Sequence, residues 1–85
     1  MKARELIEEC GYEDVVVFDN PSYEGAFIGI SEDNRAVYEY ELMVQSLMNE
    51  DGMSWEEAAE FIDFNTIRSL PYMAGSPIVV YRLSE

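Results

Sequence analysis

Three carboxylates follow one another at helical spacing in the second half of the chain. Glu56, Glu60 and Asp63 stand at positions i, i+4 and i+7, so a helix would place them on one face. Successive side chains on such a face lie about 6 Å apart, which resembles the spacing of phosphates along a nucleic acid. The stripe predicts a surface for a basic groove, whereas the simpler interpretation is a charged helix face exposed to solvent.

A second group of candidate binding residues combines tyrosine with carboxylate. Tyr38, Glu39, Tyr40 and Glu41 are consecutive, and tyrosine also precedes glutamate at 12–13 and 23–24. Exposed tyrosine beside carboxylate suits an interface that contacts arginine and lysine through stacking and ion pairs together. The pattern predicts partner contacts at residues 38–41, although such rings also serve in cores and on sheet faces.

Groups that catalyse reactions or bind metals are scarce. The chain has no histidine and one cysteine, Cys10, which leaves no Ser–His–Asp or Cys–His set and no zinc site. No glycine-rich phosphate loop occurs. A calcium loop around Gly52 fails because its first and twelfth positions are Leu47 and Ala58 rather than carboxylates. We therefore expect no catalytic residue, no metal ligand and no cofactor. Weak, unselective cation binding by clustered acids is the open alternative.

Paired carboxylates are the remaining route to catalysis. Such chemistry needs one acid desolvated in a pocket, with its pKa raised. A chain of 85 residues offers little volume for that pocket. A small enzyme or metal-dependent hydrolase is therefore the third hypothesis, behind two non-catalytic ones.

Net charge limits the choice of partner. The chain carries 18 Asp and Glu against 5 Lys and Arg, a formal net charge of −13. Such a field repels nucleic acid and anionic membranes, and it attracts basic proteins or cations. The charge predicts a protein partner with a basic surface and no direct contact with nucleic acid or membrane. The plainer interpretation is that self-repulsion keeps the protein soluble.

The sequence also predicts a compartment. One cysteine cannot form an internal disulfide, and no apolar run approaches the roughly 20 residues that span a bilayer. No N-terminal segment has the apolar core of a signal peptide. We expect a cytoplasmic protein.

The first half of the chain predicts one helix followed by three strands. Ala3, Leu6, Ile7 and Cys10 form one apolar stripe at helical spacing, which predicts a buried thiol. Gly11 stands where a left-handed cap would end this helix. Runs rich in β-branched and aromatic residues predict strands at 15–18, 26–30 and 36–40. The alternative for 36–40 is that it already opens the next helix, but valine and tyrosine fit a pleated sheet and favour the strand.

The second half predicts two helices and a strand. Apolar spacing predicts a helix over 42–49 that stops at Gly52. Ser54 and Glu57 form a capping box, in which each side chain accepts from the other's backbone N–H, so a helix begins there and runs to about residue 65. A further turn over 66–70 is limited by Pro71. The segment 77–83 predicts an internal strand, since 78–81 is apolar on both faces.

These elements predict a single α+β domain over residues 1–85. Their order is α-β-β-β-α-α-β, and a small four-stranded sheet with three helices packed mainly on one face would bury the apolar stripes. Arg68 is the only basic residue between Arg35 and Arg82. Among so many acids, it is predicted to form an internal ion pair that ties the end of the third helix to the sheet.

The second half of the chain also carries a resemblance. Residues 56–72 read EEAAEFIDFNTIRSLPY and are followed by PIVVY at 77–81. This pattern resembles a widespread family of short acidic uncharacterised proteins of bacteria, archaea and their phages or mobile elements. The likeness extends upstream through 35–40 and 43–44. It implies a shared fold and an association with mobile elements, and it assigns no catalytic residue.

The leading hypothesis is a non-catalytic protein-binding module, an inhibitor encoded by a mobile element. Its acidic, tyrosine-rich surface would occupy the basic nucleic-acid site of a target. Anti-CRISPR and other nucleic-acid-mimicking proteins provide the analogy, in charge and size. The alternative is a structural or assembly module, such as a small homodimer, in which the charge serves only solubility.

Overall fold

A computed structural model describes residues 3–83 and contains three α-helices and a three-stranded sheet. In chain order the elements are α1 (Ala3–Glu9), β1 (Phe27–Ile30), β2 (Ala36–Glu39), α2 (Tyr40–Asp51), α3 (Trp55–Phe61) and β3 (Ile78–Val80). A π-helical turn (Ile62–Thr66) and a 3₁₀ helix (Ile67–Tyr72) continue from α3, and a short 3₁₀ turn (Glu24–Ala26) precedes β1. The α+β class and the three helices agree with the prediction, whereas the sheet lacks one predicted strand.

The segment predicted as the first strand, residues 15–18, is extended but stays outside the sheet. The backbone N–H of Phe18 donates to the hydroxyl of Tyr38 (3.3 Å), a side chain rather than the carbonyl of a neighbouring strand. Val15 and Phe18 are buried while the two residues between them are half-buried, so the strict alternation of a strand is missing. The prediction of a four-stranded sheet is therefore wrong.

The three strands lie in the order β1-β2-β3. β2 pairs antiparallel with β1 and parallel with β3, where Val37 stands opposite Ile78. The prediction of an internal last strand is wrong, because β3 is an edge strand. Its apolar character has a local explanation: Val79 packs against the core, and the ring of Tyr81 stacks on Tyr40 with 4.7 Å between centroids.

The core lies between the sheet and helices α2 and α3. Its buried side chains come from β2, α2, α3 and the turn after α3: Ala36, Tyr38, Met43, Val44, Leu47, Ala58, Ala59 and Ile62. An aromatic cluster extends it toward residues 15–18. The ring of Phe18 lies 5.4 Å from that of Tyr23 and 4.7 Å from that of Tyr38.

The limits of α2 and α3 follow local signals in the sequence. The Glu39 carboxylate accepts from the backbone N–H of Leu42 (2.8 Å), which starts α2 directly after β2 and two residues before the predicted start. Gly52 ends it with φ 66°, a left-handed conformation that glycine adopts at little cost. The capping box of Ser54 and Glu57 is confirmed, with both reciprocal hydrogen bonds formed.

The helix that begins at Ser54 changes its winding before the predicted end. Its α-helical part stops at Phe61, and the wider π turn follows. In that turn the hydroxyl of Thr66 is hydrogen-bonded to that of Tyr23 (2.6 Å), deep in the protein. Pro71 lies inside the 3₁₀ helix, one residue before its end, so the limit predicted from proline falls near the observed one.

Two predictions about single side chains are wrong. Cys10 is exposed, because α1 ends at Glu9 and only Ala3 and Ile7 of its stripe are buried. Arg68 is exposed and lies over the ring of Phe64 (5.6 Å from guanidinium carbon to centroid). It forms no ion pair with a carboxylate within residues 3–83.

Arg35, rather than Arg68, ties a loop to the sheet. Its Nε donates to the carbonyl oxygen of Ser76 (2.7 Å), and its Nη2 donates to the Ser76 hydroxyl (3.1 Å). Ser76 is buried, so these bonds satisfy polar groups that are removed from water. They fix the chain just before β3 enters the sheet.

None of the helices within residues 3–83 combines the length and the apolar character needed to cross a bilayer.

Candidate binding surface

Two of the predicted contact residues are inside the protein. The side chain of Tyr38 is 0% exposed, since it points from β2 into the aromatic cluster. Glu39 is 3% exposed; it caps α2 and lies 3.7 Å from the Nε of Arg82. Tyr38 lies on the buried face of β2, and the Glu39 carboxylate caps α2. The prediction that these two residues contact a partner is therefore wrong.

Tyr40 and Glu41 lie in the first turn of α2, at the surface. The hydroxyl of Tyr40 donates to the Oδ1 of Asp63 (3.1 Å), which belongs to the π turn. The ring of Tyr40 supports that of Tyr81, which follows β3. Three separate elements therefore meet at Tyr40.

A tryptophan joins this group from α3. The Nε1 of Trp55 donates to the Oε1 of Glu41 (3.0 Å). The side chains of Trp55 and Tyr81 stay 45% and 59% exposed. We call the five residues Tyr40, Glu41, Trp55, Asp63 and Tyr81 the aromatic–acidic patch. It presents two rings and two carboxylates to solvent.

The predicted acidic stripe is exposed at all three positions, Glu56, Glu60 and Asp63. The π turn begins at Ile62, so the α-helical spacing behind the prediction does not hold as far as Asp63. Asp63 instead bonds to α2, while Glu60 borders a shallow groove floored by Met53, Phe61 and Phe64. The stripe therefore belongs partly to the patch and partly to the edge of this groove.

The surroundings of the patch raise the pKa of one of its tyrosines. Burial raises the pKa of Tyr40 from 10.0 to about 12, and the hydrogen bond to Asp63 and the negative charge of that carboxylate act in the same direction. Burial also raises the pKa values of Tyr23 and Tyr38 in the core. The Tyr40 hydroxyl therefore stays protonated, and donates to Asp63, to a higher pH than an ordinary tyrosine would.

No metal centre accompanies the patch. Within residues 3–83, no three His, Cys, Asp or Glu side chains are arranged to hold an ion. What the patch offers is a set of ring faces and carboxylate oxygens, which recognise cations by stacking and by charge-assisted hydrogen bonds.

No family model matches this chain. Searches of curated proteins and of solved structures likewise find no similar protein. The resemblance based on residues 56–72 and 77–81 therefore stays a prediction.

Sequence reasoning missed two members of the patch. Trp55 stands inside the capping box, where the pattern gives information about the start of a helix and none about its neighbours. Tyr81 is separated from Tyr40 by 41 positions, and only the parallel pairing of β2 and β3 brings the two rings together. A tryptophan in the first turn of a predicted helix was a local signal that could have pointed to Trp55.

We predict that Asp63→Asn lowers the pKa of Tyr40, because it removes the negative charge beside the hydroxyl. Because the pKa of Tyr40 is higher in the folded state than in the unfolded state, its contribution to the free energy of unfolding is fully present below pH 10.0. This contribution is lost as the pH rises through about 12. Alkaline titration followed by tyrosinate absorbance, with Tyr40→Phe as the subtracted reference, measures the change. Glu32→Gln, an exposed carboxylate in the β1–β2 turn, is the control, and an unchanged Tyr40 titration in Asp63→Asn would contradict the prediction.

Proposed function

We propose that this protein is a non-catalytic module that binds a protein with a basic surface through the aromatic–acidic patch. The observation that carries the proposal is the coincidence of exposed rings, Trp55 and Tyr81, with the carboxylates Glu41 and Asp63. Tryptophan and tyrosine are enriched among the residues that dominate binding energy at protein interfaces. The surrounding charge of −13 attracts a basic partner and speeds its approach.

Charge by itself does not locate the surface. Exposed carboxylates occur on α1, in the turn between β1 and β2, at the end of α2 and along α3. Within residues 3–83 there are two ion pairs, Asp33 with Arg35 and Glu39 with Arg82, so most of these acids face solvent without a basic neighbour.

Exposed rings also occur elsewhere, at Tyr12, Phe64 and Tyr72. In the patch, however, the rings are tied to carboxylates: Trp55 donates to Glu41, and Tyr81 rests on Tyr40, which donates to Asp63. Such rings supply contact area at low entropic cost.

The finer proposal is that the protein is an inhibitor of the kind that mobile elements encode and that it acts in the cytoplasm. Its acidic surface would imitate nucleic acid and occupy the nucleic-acid site of its target. The net charge of −13 on 85 residues and the single free thiol, Cys10, support this proposal. It requires that duplex DNA or RNA compete for the same site on the target.

Capture of partners on the immobilised protein tests the proposal. A nuclease-treated lysate is applied, and bound proteins are eluted first with a salt gradient and then, in a parallel run, with duplex DNA. We expect a basic protein that both treatments release. A double charge reversal in the patch, Glu41→Lys with Asp63→Lys, should weaken its binding by at least about tenfold.

The matched control is a double reversal elsewhere, Glu9→Lys with Glu32→Lys. Both residues are exposed and lie on α1 and in the β1–β2 turn, and the net charge changes by the same amount as in the patch variant. Circular dichroism establishes that each variant is folded. Equal loss of binding in both variants would show that overall charge, and not the patch, controls binding.

The assembly alternative is favoured by one observation, the edge position of β3. Within the part of the chain that the structure describes, β3 pairs with β2 on one side only. A second copy could pair with the other side, and the strand carries no charge to oppose this, since it reads Ile78–Val80. Sedimentation velocity over a range of concentrations tests for a dimer. A monomer at all concentrations would remove this alternative.

A further inference from the structure

One ring of the aromatic–acidic patch, that of Tyr81, is exposed on one face and supported on the other. Tyr81 is 59% exposed and rests against Tyr40, whose ring lies 4.7 Å away at an interplanar angle of 31°. Tyr40 in turn is held by its bond to Asp63. The outer face of Tyr81 is thus presented on a fixed base, and a planar group can stack on it without first ordering the ring.

The carboxylates of the patch are oriented but incompletely used. Glu41 accepts from Trp55 through Oε1, and Asp63 accepts from Tyr40 through Oδ1. Within residues 3–83, their other oxygens, Oε2 and Oδ2, accept no hydrogen bond from the protein. An ionised carboxylate can accept about four hydrogen bonds, so each has capacity left for an incoming donor. Their internal bonds reduce the entropy that binding would cost.

This combination favours arginine over lysine. A guanidinium is planar, stacks on aromatic rings and presents several N–H donors in one plane, so it can lie on a ring while bonding to carboxylates at its edge. An ammonium is a compact, strongly hydrated charge and gains less from the ring. The protein itself contains such a stack nearby, with Arg68 over Phe64 at 5.6 Å.

A second copy of this chain is a poor occupant for the patch. Two molecules that each carry −13 repel one another, and a symmetric contact would place Glu41 and Asp63 opposite their own copies. Charge complementarity therefore selects a cationic partner. Arg82 does not occupy the patch, because it lies beside Glu39, 3.7 Å from that carboxylate.

On these grounds, and resting on the proposed function, we infer that the aromatic–acidic patch binds an arginine side chain of the partner, stacked on Tyr81 and hydrogen-bonded to Glu41 or Asp63. The partner segment is thus arginine-bearing, and replacing arginine by lysine in it weakens binding although the charge is kept.

Hexa-arginine and hexa-lysine peptides of equal charge test this inference. The chain has one tryptophan, Trp55, and it lies in the patch, so its fluorescence reports binding there. Isothermal titration calorimetry measures the affinities independently. We expect hexa-arginine to bind more tightly than hexa-lysine. The Tyr81 ring should account for a factor of about two to five in this affinity ratio, and this factor is the ring's share. Tyr81→Leu should remove that share, and Tyr72→Leu, at a tyrosine that is 89% exposed outside the patch, should leave it unchanged.

Each result decides a different question. If both peptides bind equally to the unmodified protein, or if Tyr81→Leu leaves their ratio unchanged, the arginine inference is wrong while binding to basic partners stands. If neither peptide binds at low salt, the proposed function itself fails. Glu41→Gln and Asp63→Asn keep every ring, and at least one of them should weaken hexa-arginine binding; unchanged binding in both would contradict the inference.

Discussion

Phe18→Ala is expected to lower the free energy of unfolding by about 3–5 kcal/mol. The ring of Phe18 lies at the centre of the aromatic cluster, 5.4 Å from Tyr23 and 4.7 Å from Tyr38, and its backbone N–H bonds to the Tyr38 hydroxyl. Truncation removes buried surface and leaves a cavity between two rings that are themselves fixed by hydrogen bonds. Because small domains have only about 5–15 kcal/mol of stability, this variant should be partly unfolded at 37 °C, as urea titration by circular dichroism will show.

Phe64→Ala is the matched control, since it makes the same chemical change at a side chain that is 58% exposed. Its cost should stay within about 0.5–1 kcal/mol, the range of a surface contact such as the stack with Arg68. A Phe18→Ala variant as stable as this control would mean that residues 15–18 are not part of the folded core.

The second large effect is expected at the hydrogen bond between Tyr23 and Thr66, which joins the loop before β1 to the π turn. Tyr23→Phe leaves the buried Thr66 hydroxyl without its partner and should cost about 1–3 kcal/mol. Thr66→Val should have a similar cost for the same reason. The double variant removes both polar groups, so it should be less destabilised than the sum of the two changes.

Urea denaturation of the four proteins in this cycle gives the coupling energy directly. Tyr72→Phe removes a hydroxyl from an almost fully exposed tyrosine and should leave the free energy of unfolding unchanged. Additive costs in the double variant would show that the two hydroxyls do not depend on one another. The bond would then contribute nothing to the position of the π turn.

Local chemistry in the sequence correctly predicted some of the helix limits. Ser54 with Glu57 fixed one start, and Gly52 fixed one end, because capping involves residues within one turn of each other. The strand at 36–40 was placed nearly correctly for a similar reason, since its run of β-branched and aromatic residues directly follows a turn. These features need no knowledge of distant contacts.

The wrong predictions concern features that depend on contacts between residues far apart in the sequence. Residues 15–18 have strand propensity, but they pair with neither edge of the sheet, and the hydroxyl of Tyr38 accepts the hydrogen bond of Phe18. The side chain of Tyr38 is buried, and Tyr40 rather than Tyr38 contributes to the surface. Which face of β2 is covered depends on how the strand pairs and packs, which the local sequence does not reveal. The π turn that carries Asp63 is likewise hydrogen-bonded, through Thr66, to Tyr23, which lies 43 positions earlier.

The parallel pairing of β2 and β3 has a consequence for the order of folding. Val37 and its partner Ile78 are separated by 41 positions, and α2 and α3 lie between them, so loop-closure entropy makes this pairing a slow, non-local step. Tyr81 follows β3 and reaches Tyr40 only when that strand has docked. A nascent chain or a kinetic intermediate that lacks β3 therefore also lacks the stacked ring. A partner that binds this surface would thus bind the fully folded protein in preference to a chain in which β3 has not yet docked.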